Sequence, residues 1–374
     1  MVIVRAPVRI SFGGGGTDLA AYYTHHGGFV VSAAITRYSY VVARQPADRS
    51  IWINSADYRV CEAFERGQIP PVEEPLSLPK AAIEAFADLG LRQKGVDLFL
   101  AAEAPPGTGL GSSSAMSVAL IRALSAYLGL SLDKAAVADR ACRLEVERLD
   151  MPIGKQDQYA SAFGGLNTIE FTASGVHVRP LNLPASVSGN LSSRLMLFST
   201  GQSRHSSGIL RQQRADTHTK PQVIEALHHL KDLAHRMRHA LLEHNLDEFG
   251  RLLDVGWQEK KQLSNKVSSG QIETWYTAAR SAGALGGKIA GAGGGGFMLL
   301  YVPVEKQAAV RAVMAGHGLQ EMAFDFDFGG VQVMTAPETA RATRRTAGRS
   351  KLALLYNPQP EPASELGVAV GGTR

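Results

Sequence analysis

The stretch PPGTGLGSSSAM, residues 105–116, places three spaced glycines and three consecutive serines directly before a segment of helix-forming residues. Glycine permits positive φ angles and lets a backbone approach a ligand closely. At the start of a helix, free amide groups and the positive end of the helix dipole attract an anion. The stretch therefore predicts a phosphate-binding loop. Because it lacks the lysine of a Walker-type loop, backbone amides, serine hydroxyls and a cation held elsewhere must balance the phosphate charge.

The spacing of the glycines in this loop argues against a dinucleotide-binding site. Gly107, Gly109 and Gly111 are not spaced as G-x-G-x-x-G, and no acid-ended strand follows after about twenty residues. Two further glycine clusters occur, FGGGGTD at 12–18 and GAGGGGF at 291–297. Each cluster alone fits a tight turn, so the loop at 105–116 is the most informative of the three.

The order of the predicted strands and helices indicates an α+β protein. Residues 2–12 and 28–45 are rich in branched apolar residues and predict two strands paired as in a hairpin. A strand at 96–105 leads into the loop, helices follow at 113–128 and 132–149, and one long helical tract runs from about 221 to 266. The final part is predicted as helix, glycine loop, strand, helix and strand. This mixed order does not fit a doubly wound parallel sheet.

Pro, Ser and Gly residues cluster between Leu183 and Leu191, where we place a domain boundary. We predict an N-terminal domain at 1–187, which carries the loop, and a C-terminal domain at 188–335. A flexible tail is predicted at 336–374, because this segment is rich in Pro, Ala, Thr and Gly.

The composition is that of a globular protein with sizeable cores: 374 residues, 45% hydrophobic and 20% charged. Neither a run of eighteen uncharged apolar residues nor a signal peptide is evident, so we expect a cytoplasmic protein with no membrane partner. Cys61 and Cys142 are too few and too far apart for a disulfide framework or a zinc site. The net charge is +5, but the basic residues are scattered among acidic ones except in one basic run at 341–351, and no nucleic-acid-binding signature is present. We therefore expect no nucleic-acid partner.

Two carboxylates are candidates for chemistry on a bound phosphate. Asp157 follows a Pro-Gly break and stands close to Lys155, an arrangement that suits a base or a charge-stabilising residue. A helix N-cap is the structural alternative for Asp157. Glu145 lies in the preceding predicted helix, where a surface salt bridge is the structural alternative and Glu147 is a rival candidate.

Three motifs in this order resemble those of the GHMP kinases, the superfamily of galacto-, homoserine, mevalonate and phosphomevalonate kinases. They are APVRISFGGGGTD at 6–18, PPGTGLGSSSAM at 105–116 and KIAGAGGGGF at 288–297, and the resemblance extends from Val2 to about Thr335. RISFGGGGTDLAAYY, IGKQDQYASAFGGLN and FSTGQSRHSSGILRQQ further resemble the branch that phosphorylates the anomeric hydroxyl of heptose 7-phosphate, and related higher-sugar kinases. The resemblance implies a ribosomal-protein-like N-terminal domain and a ferredoxin-like C-terminal domain. It also implies ATP, Mg²⁺ and a small-molecule sugar or sugar phosphate as ligands.

The resemblance assigns roles to individual residues. Asp157 matches the aspartate that takes or steers the proton of the attacking hydroxyl, Arg9 matches a basic residue beside it, and Lys155 could steer the γ-phosphate or tune Asp157. Ser113 and Glu145 match the Mg²⁺ ligands, and Glu145 rather than Glu147 has the family's separation from Gly154. The ATP phosphates are expected at Pro106, Gly107, Thr108, Gly109, Leu110, Gly111, Ser112, Ser113 and Ser114. The sugar is expected at Gly15, Gly16, Thr17, Asp18, Gly293, Gly294 and Arg204.

Substrate choice stays open at this stage. Lys155 departs from the heptose branch, in which the residue before Gln-Asp-Gln is often small. Arg204, His205 and Arg211 could meet a second phosphate on the sugar or could belong to a solvated loop. We weigh an ATP-dependent 1-kinase of heptose 7-phosphate or a similar sugar, a kinase of a free hexose or deoxysugar such as fucose or galactose, and a non-catalytic sensor of sugar and ATP. A homodimer is also open.

Overall fold

The computed structural model describes residues 1–201, 207–263 and 267–334, in which strands and helices follow one another in a mixed order. The strands are β1 (Val2–Gly13), β2 (Gly28–Arg44), β3 (Ile51–Ser55), β4 (Val60–Phe64), β5 (Val96–Ala102), β6 (Leu166–Thr172), β7 (Gly175–Pro180), β8 (Leu195–Ser199), β9 (Gly286–Ile289), β10 (Phe297–Tyr301), β11 (Gln320–Glu321) and β12 (Gln332–Met334). The helices are α1 (Ala20–His26), α2 (Ser77–Phe86), α3 (Leu91–Lys94), α4 (Ser112–Tyr127), α5 (Lys134–Cys142), α6 (Gln156–Phe163), α7 (Ala185–Arg194), α8 (Ser207–Thr219), α9 (Pro221–Leu242), α10 (Leu246–Leu263), α11 (Gly270–Ser281) and α12 (Gln307–Gly316). The α+β fold class is confirmed. Within these residues, no helix is both long and apolar enough to cross a membrane.

The hairpin of β1 and β2 organises the first sheet. The two strands pair antiparallel from Val2 opposite Ala43 to Gly13 opposite Val31, which confirms the predicted pairing. One end of β2 pairs with β5 and the other with β6, which in turn pairs with β7. The sheet runs β12, β1, β2, β5, β3, β4 with β6 and β7 beside β2. Because β1 and β5 are both antiparallel to β2, they run in the same direction, and the glycine loops that follow them lie at the same end of the sheet.

The second sheet is antiparallel, in the order β11, β8, β10, β9. Strands β9 and β10 flank the glycine loop at 290–296. After this sheet the chain returns to the first one, where β12 pairs with β1 through Met334 opposite Ile3. Helix α7 spans the boundary expected near residue 187, so the division into 1–187 and 188–335 stays a prediction. The tail at 336–374 lies outside the described residues.

The helical tract expected from Pro221 to Lys266 is two helices in the structure. Helix α9 ends at Leu242 and α10 begins at Leu246. Between them His244 has a φ of 57°, a left-handed conformation that ends a helix. The Asn245 side chain then accepts a hydrogen bond from the Glu248 amide at 3.2 Å, which caps the next helix. The predicted tract is thus helical as far as it is described, and a polar cap divides it in two where the apolar pattern is otherwise continuous.

Three apolar cores hold the layers together. The first lies between the first sheet and helices α2, α4, α5 and α6. The second joins β1 and β2 to α9, α10 and strands of the second sheet, and the third packs α11 and α12 on the second sheet. Strand β1 takes part in both of the first two cores, and its last residues pack in the second one.

Candidate active site

The loop at 105–111 has the conformation that its glycines predict. Gly107, Gly109 and Gly111 have φ values of 76°, 82° and 75°, a region that other residues rarely adopt. The Thr108 hydroxyl donates to the carbonyl of Pro105 at 2.7 Å and closes the turn. Helix α4 begins immediately afterwards, so its free amide groups point out of the loop toward any bound anion.

The glycine loop at 290–296 packs directly against this first loop. A Cβ atom on Gly109 would lie 2.4 Å from the Ala290 carbonyl oxygen, and one on Gly296 would lie 2.3 Å from the Thr108 carbonyl oxygen. Both distances are too short for a Cβ atom. The two backbones can therefore approach this closely only because both positions are glycine. Motifs that are far apart in the chain therefore form one wall of a single cavity.

Arg9 reaches this wall because β1 changes face. The pairing of β1 with β2 shifts register between Pro7 and Val8. Ala6 before the shift belongs to the first core, whereas Val8 and Ile10 after it belong to the second. At this irregularity the partner on β2 moves from Tyr38 to Ile35, and Arg9, just beyond it, points toward the loop at 105–111.

The Arg9 guanidinium joins a carboxylate to the phosphate loop. Its Nε and Nη2 donate to the two oxygens of Asp157 at 2.7 and 2.6 Å, and its Nη1 donates to the Gly109 carbonyl at 2.6 Å. Arg9 is only 4% exposed. Such a two-pronged, charge-assisted contact fixes orientation as well as distance. The Asp157 carboxylate is thereby held at a set position relative to the loop.

Asp157 lies in the first turn of α6, close to the start of α4. The N-cap of α6 is Lys155, so the N-cap alternative for Asp157 is wrong. A Cβ atom on Gly111 would lie 3.1 Å from the Asp157 Oδ2 atom. Glycine at the end of the loop thus leaves room for the carboxylate directly beside the α4 N-terminus.

A second carboxylate, that of Asp18, belongs to the same cavity. It is 3% exposed, and its oxygens accept hydrogen bonds from the Gly16 amide at 2.9 Å and from the Gln156 side-chain amide at 3.0 Å. Burial, followed by the nearby Asp157 charge, raises the pKa of the Asp18 carboxyl. Asp18 therefore ties the first glycine cluster to α6 and presents a polar group to the cavity.

Gly154 leaves the space that Asp18 occupies, which gives a testable prediction. A Cβ atom on Gly154 would lie 1.9 Å from Asp18 Oδ2 and 2.4 Å from its Cγ. With the sugar acceptor and ATP that the GHMP resemblance implies, Gly154→Ala should displace Asp18 and lower kcat/KM for the acceptor by about 10- to 100-fold, the scale of one to two misplaced charged hydrogen bonds. Affinity for nucleotide should stay within about threefold, since one such bond lost there would cost more.

Steady-state kinetics with each substrate varied in turn, together with calorimetric nucleotide titration, checks this prediction. Gly189→Ala is the matched control, because nothing lies within 4 Å of a Cβ added at this helical position. An unchanged acceptor kcat/KM in Gly154→Ala would show that Asp18 can move without consequence.

Glu145 and Ser113 form a pair on the other side of the loop. Helix α5 ends at Cys142 and continues as a π-helical turn at Arg143–Arg148, a widened geometry often found at functional sites. Glu145 is fully buried, so its surface salt-bridge alternative is wrong, while Glu147 is exposed. The Glu145 carboxylate accepts hydrogen bonds from the Ser113 hydroxyl and the Gln158 side-chain amide, both at 2.7 Å. Burial raises the pKa of this carboxyl.

The Glu145 and Ser113 pair suits Mg²⁺. Both groups offer hard oxygen donors, and Mg²⁺ typically takes one or two carboxylates together with substrate phosphates. Among the described residues, no cluster of three His, Cys, Asp or Glu side chains could hold a metal by itself. A site that depends on phosphate oxygens for its remaining ligands fits both observations.

Most of the predicted site residues line one cavity. They are Arg9, Gly15, Gly16, Asp18, Gly107, Gly109, Gly111, Ser112, Ser113, Ser114 and Asp157. A second, more apolar cavity of about 410 Å³ adjoins it, and its lining includes Pro106, Ser112, Leu100 and Met116. Ser112 and Ser113 line both cavities, so the two cavities meet at the start of α4.

Other predicted residues serve the loops or face elsewhere. The buried Thr17 hydroxyl donates to the Gly14 carbonyl at 2.7 Å and thereby braces the first glycine cluster. The Lys155 ammonium lies 5.8 Å from the centroid of the Tyr23 ring and is not among the cavity-lining residues. The roles suggested for Thr17 and Lys155 stay predictions that this geometry does not support. Leu110 is fully buried in the second core.

The remaining substrate candidates are less well placed. Gly294 donates its amide to the Val267 carbonyl at 2.7 Å, and Gly293 packs against the same residue. Gly291 and Ala292, at the start of that loop, line the cavity instead. Arg211 is exposed on α8, while Arg204 and His205 lie outside the described residues.

The sequence analysis did not identify four polar residues of the cavity lining: Ser11, Gln156, Lys260 and Lys288. The phase of α10 could have revealed Lys260, because it continues the buried series of Leu253 and Trp257 at helical spacing. Lys288 stands inside the quoted third motif. Ser11 and Gln156 had no signal of their own, because only the folded chain brings them together.

The arrangement defines a class of protein, a small-molecule kinase: a phosphate loop at a helix N-terminus, a carboxylate held beside it by an arginine, and a buried carboxylate with a hydroxyl suited to Mg²⁺. Comparison with known proteins agrees. Residues 77–165 match the family model "GHMP kinases N terminal domain", and residues 237–317 match "GHMP kinases C terminal". The chain belongs to the GHMP kinase family and is a sugar kinase.

Two relatives and one solved structure carry the names of sugar kinases. D-glycero-alpha-D-manno-heptose 7-phosphate kinase of Campylobacter jejuni is 30% identical over 87% of this chain and 95% of its own. L-fucokinase/L-fucose-1-P guanylyltransferase of Bacteroides fragilis is 30% identical over 82% of this chain, which spans only 35% of that longer protein. A crystal structure of a D-glycero-D-manno-heptose 1-phosphate kinase from Bacteroides thetaiotaomicron superposes with a TM-score of 0.75 at 30% identity, covering 90% of this chain and 100% of that one.

Proposed function

We propose that this sugar kinase transfers the γ-phosphoryl group of ATP to the anomeric hydroxyl of heptose 7-phosphate or a similar phosphorylated higher sugar, with Asp157 as the base. One observation carries the proposal: the Arg9 guanidinium joins Asp157 to Gly109 of the phosphate loop. A carboxylate so placed stands next to the terminal phosphate that the loop would hold. The Campylobacter and Bacteroides heptose kinases support the choice of sugar.

The proposed mechanism rests on positioning and charge, which supply most of the rate in phosphoryl transfer. The sugar hydroxyl would lie against an Asp157 oxygen and pass its proton to it as the oxygen attacks the γ-phosphorus in line with the leaving ADP. Arg9 would keep the carboxylate oriented and compensate its charge. Amides at the start of α4 would bind the phosphate oxygens.

Asp18 and its neighbours would orient the acceptor. The carboxylate of Asp18 can accept hydrogen bonds from sugar hydroxyls while the Gly16 and Gln156 donors hold it in place. Two buried oxygens in the same lining, Ser11 Oγ and Gln156 Oε1, have no partner among the described residues. Buried polar atoms are normally satisfied, so both can bind sugar hydroxyls.

Glu145 and Ser113 would hold Mg²⁺ on the nucleotide side of the loop. An ion held there would supply positive charge against the charge that develops on the phosphate oxygens. The adjoining apolar cavity beside Pro106 and Met116 is the natural space for the nucleotide base. Together these residues would place the triphosphate between the two cavities.

A kinase of a free deoxysugar is the second candidate, favoured by the fucokinase relative. A sensor without activity is disfavoured, since Arg9, Asp157 and Glu145 form an intact polar arrangement. A cytoplasmic location, a homodimer and the absence of nucleic-acid and membrane partners stay predictions.

ADP release from ATP and Mg²⁺ against a panel of acceptors tests the proposal. We expect kcat/KM for heptose 7-phosphate to exceed that for unphosphorylated heptose, fucose and galactose by about 10-fold or more, the value of one charged hydrogen bond. A preference for fucose or galactose would replace the proposal with the deoxysugar or hexose kinase. Tight nucleotide binding without turnover of any acceptor would favour the sensor.

A further inference from the structure

Two lysines without carboxylate partners project into the cavity. The Lys260 ammonium, half-buried on α10, donates to the Gly291 carbonyl in the third motif. The Lys288 ammonium on β9 is buried and donates to the carbonyls of Ser11 at 2.9 Å and Phe12 at 3.1 Å. Neither lysine forms an ion pair within the part of the chain that the structure describes. Buried ammonium groups normally have an anionic partner, so the cavity is electrostatically incomplete.

The balance of charge in the cavity is positive. Its charged lining residues, among those described, are Arg9, Lys260 and Lys288 against Asp18 and Asp157. Arg9 and Asp157 neutralise each other as an ion pair, and Asp18 is satisfied by the Gly16 and Gln156 donors. Because those donors are neutral, Asp18 keeps its own charge, and the two lysines exceed this remaining carboxylate by one positive charge.

We propose that the Lys260 ammonium binds a phosphoryl group inside this cavity, while Lys288 fixes the strand on which the first glycine cluster begins. Among the described residues, the Lys260 ammonium makes one hydrogen bond, to the Gly291 carbonyl, and has two N–H donors free for a ligand. The Lys288 ammonium already donates two hydrogen bonds to the β1 backbone. Lys260 also lies where the third motif meets Gly109 of the phosphate loop. This inference rests on the proposed kinase function.

The electrostatics of the free cavity agree with this assignment. Burial and then the Arg9 charge lower the pKa of the Lys260 ammonium to about 8, while Asp18 opposes that shift. Burial, Lys260 and Arg9 likewise lower the pKa of Lys288. A phosphoryl dianion would offset the repulsion among these cations and favour their charged forms. Repulsion that a ligand relieves is a common feature of binding sites in the free state.

The phosphoryl group has two sources, the γ-phosphate of ATP and the phosphate that the sugar already carries. Lys260→Met removes the charge with little change in volume, and Lys260→Arg keeps the charge. Calorimetry should measure the binding of AMPPNP with Mg²⁺, ADP with Mg²⁺, and heptose 7-phosphate alone, because none of these needs turnover. Kinetics with heptose 7-phosphate and unphosphorylated heptose complete the set.

We expect Lys260→Met to lose about 10- to 100-fold in one of two ways, the scale of a hydrogen bond to a charged group. A loss of AMPPNP affinity relative to ADP, with both heptoses affected equally in kcat/KM, assigns the lysine to the γ-phosphate. A loss of heptose 7-phosphate affinity, with a collapse of the preference for the phosphorylated acceptor, assigns it to the sugar phosphate. Lys260→Arg should recover part of either loss.

Lys261→Met is the matched control, since the neighbouring Lys261 pairs with Glu273 at 2.9 Å and does not line the cavity. Thermal melting should show that Lys260→Met is no less stable than the parent, because it removes one of three crowded cations. Retention of every affinity and rate within about threefold, below the value of one charged hydrogen bond, would overturn the inference. Because the binding measurements need no turnover, they decide the role of Lys260 even if neither heptose proves to be a substrate.

Discussion

Asp157→Asn is expected to lower kcat by about 100- to 10,000-fold, the usual contribution of a general base. An amide of the same shape cannot take the proton of the attacking hydroxyl. In the parent protein Arg9 donates to both carboxylate oxygens of Asp157, and in the variant the amide oxygen can still accept one of these hydrogen bonds. Nucleotide affinity should change little, because the phosphate loop and the Glu145 and Ser113 pair remain in place.

Pre-steady-state and steady-state ADP release, with calorimetric titration of AMPPNP, measure these effects. Asp150→Asn is the matched control, because the Asp150 side chain is 91% exposed and its left-handed φ of 46° suits Asn equally well. A loss of tenfold or less in Asp157→Asn would assign the aspartate to orienting the hydroxyl, and the assignment of a base would then be wrong.

Glu145→Gln should give the second large effect, a loss of about 100-fold or more in kcat/KM. Removing residues that merely support metal ligands typically costs 10- to 100-fold, so a direct ligand should cost at least as much. Raising the Mg²⁺ concentration should recover part of the activity, because the hydroxyl of Ser113 and the nucleotide phosphates would still bind the ion. A titration of activity against Mg²⁺ measures the shift.

Folding should not suffer in Glu145→Gln. The folded-state pKa of Glu145 is raised above its usual value of 4.5, so the folded protein binds more protons than the unfolded chain between these two values. Stability consequently falls as the pH rises through that window, and a neutral side chain avoids the loss. Gln158 can turn its amide to match, because its Oε1 atom has no partner among the described residues.

Thermal melting at neutral pH tests that expectation, and Glu147→Gln, at an exposed position two residues later, is the control for the substitution itself. If Glu145→Gln retained full activity at every Mg²⁺ concentration, the assignment of Glu145 as a metal ligand would be contradicted.

Local chemistry allowed much of this site to be predicted from the sequence. The phosphate loop needs positive φ at Gly107, Gly109 and Gly111, and few residues besides glycine tolerate it. The strands at 2–13 and 28–44 followed from their branched apolar residues. The preference for Glu145 over Glu147 came from a family spacing, and the structure buries the first and exposes the second.

Features that depend on contacts between distant parts of the chain could not be predicted from the sequence. The register shift that turns Arg9 toward the loop depends on how β1 pairs with β2. Lys260 and Lys261 are chemically identical neighbours. The helical phase of α10 indicates that the first is buried, but only the folded chain shows that it lines the cavity while the second pairs with Glu273. The break between α9 and α10 depends on two polar residues, His244 and Asn245, and the spacing of the apolar residues does not reveal it.

Phosphorus NMR of the product is the most direct test of the proposed reaction. The purified protein is incubated with ATP, Mg²⁺ and heptose 7-phosphate, and the spectrum is followed as ADP accumulates. We expect a new anomeric phosphate signal that grows in step with ADP while the original sugar phosphate signal persists. A phosphate appearing on another hydroxyl, or ADP formed only with a free hexose or deoxysugar, would rule out anomeric transfer to heptose 7-phosphate.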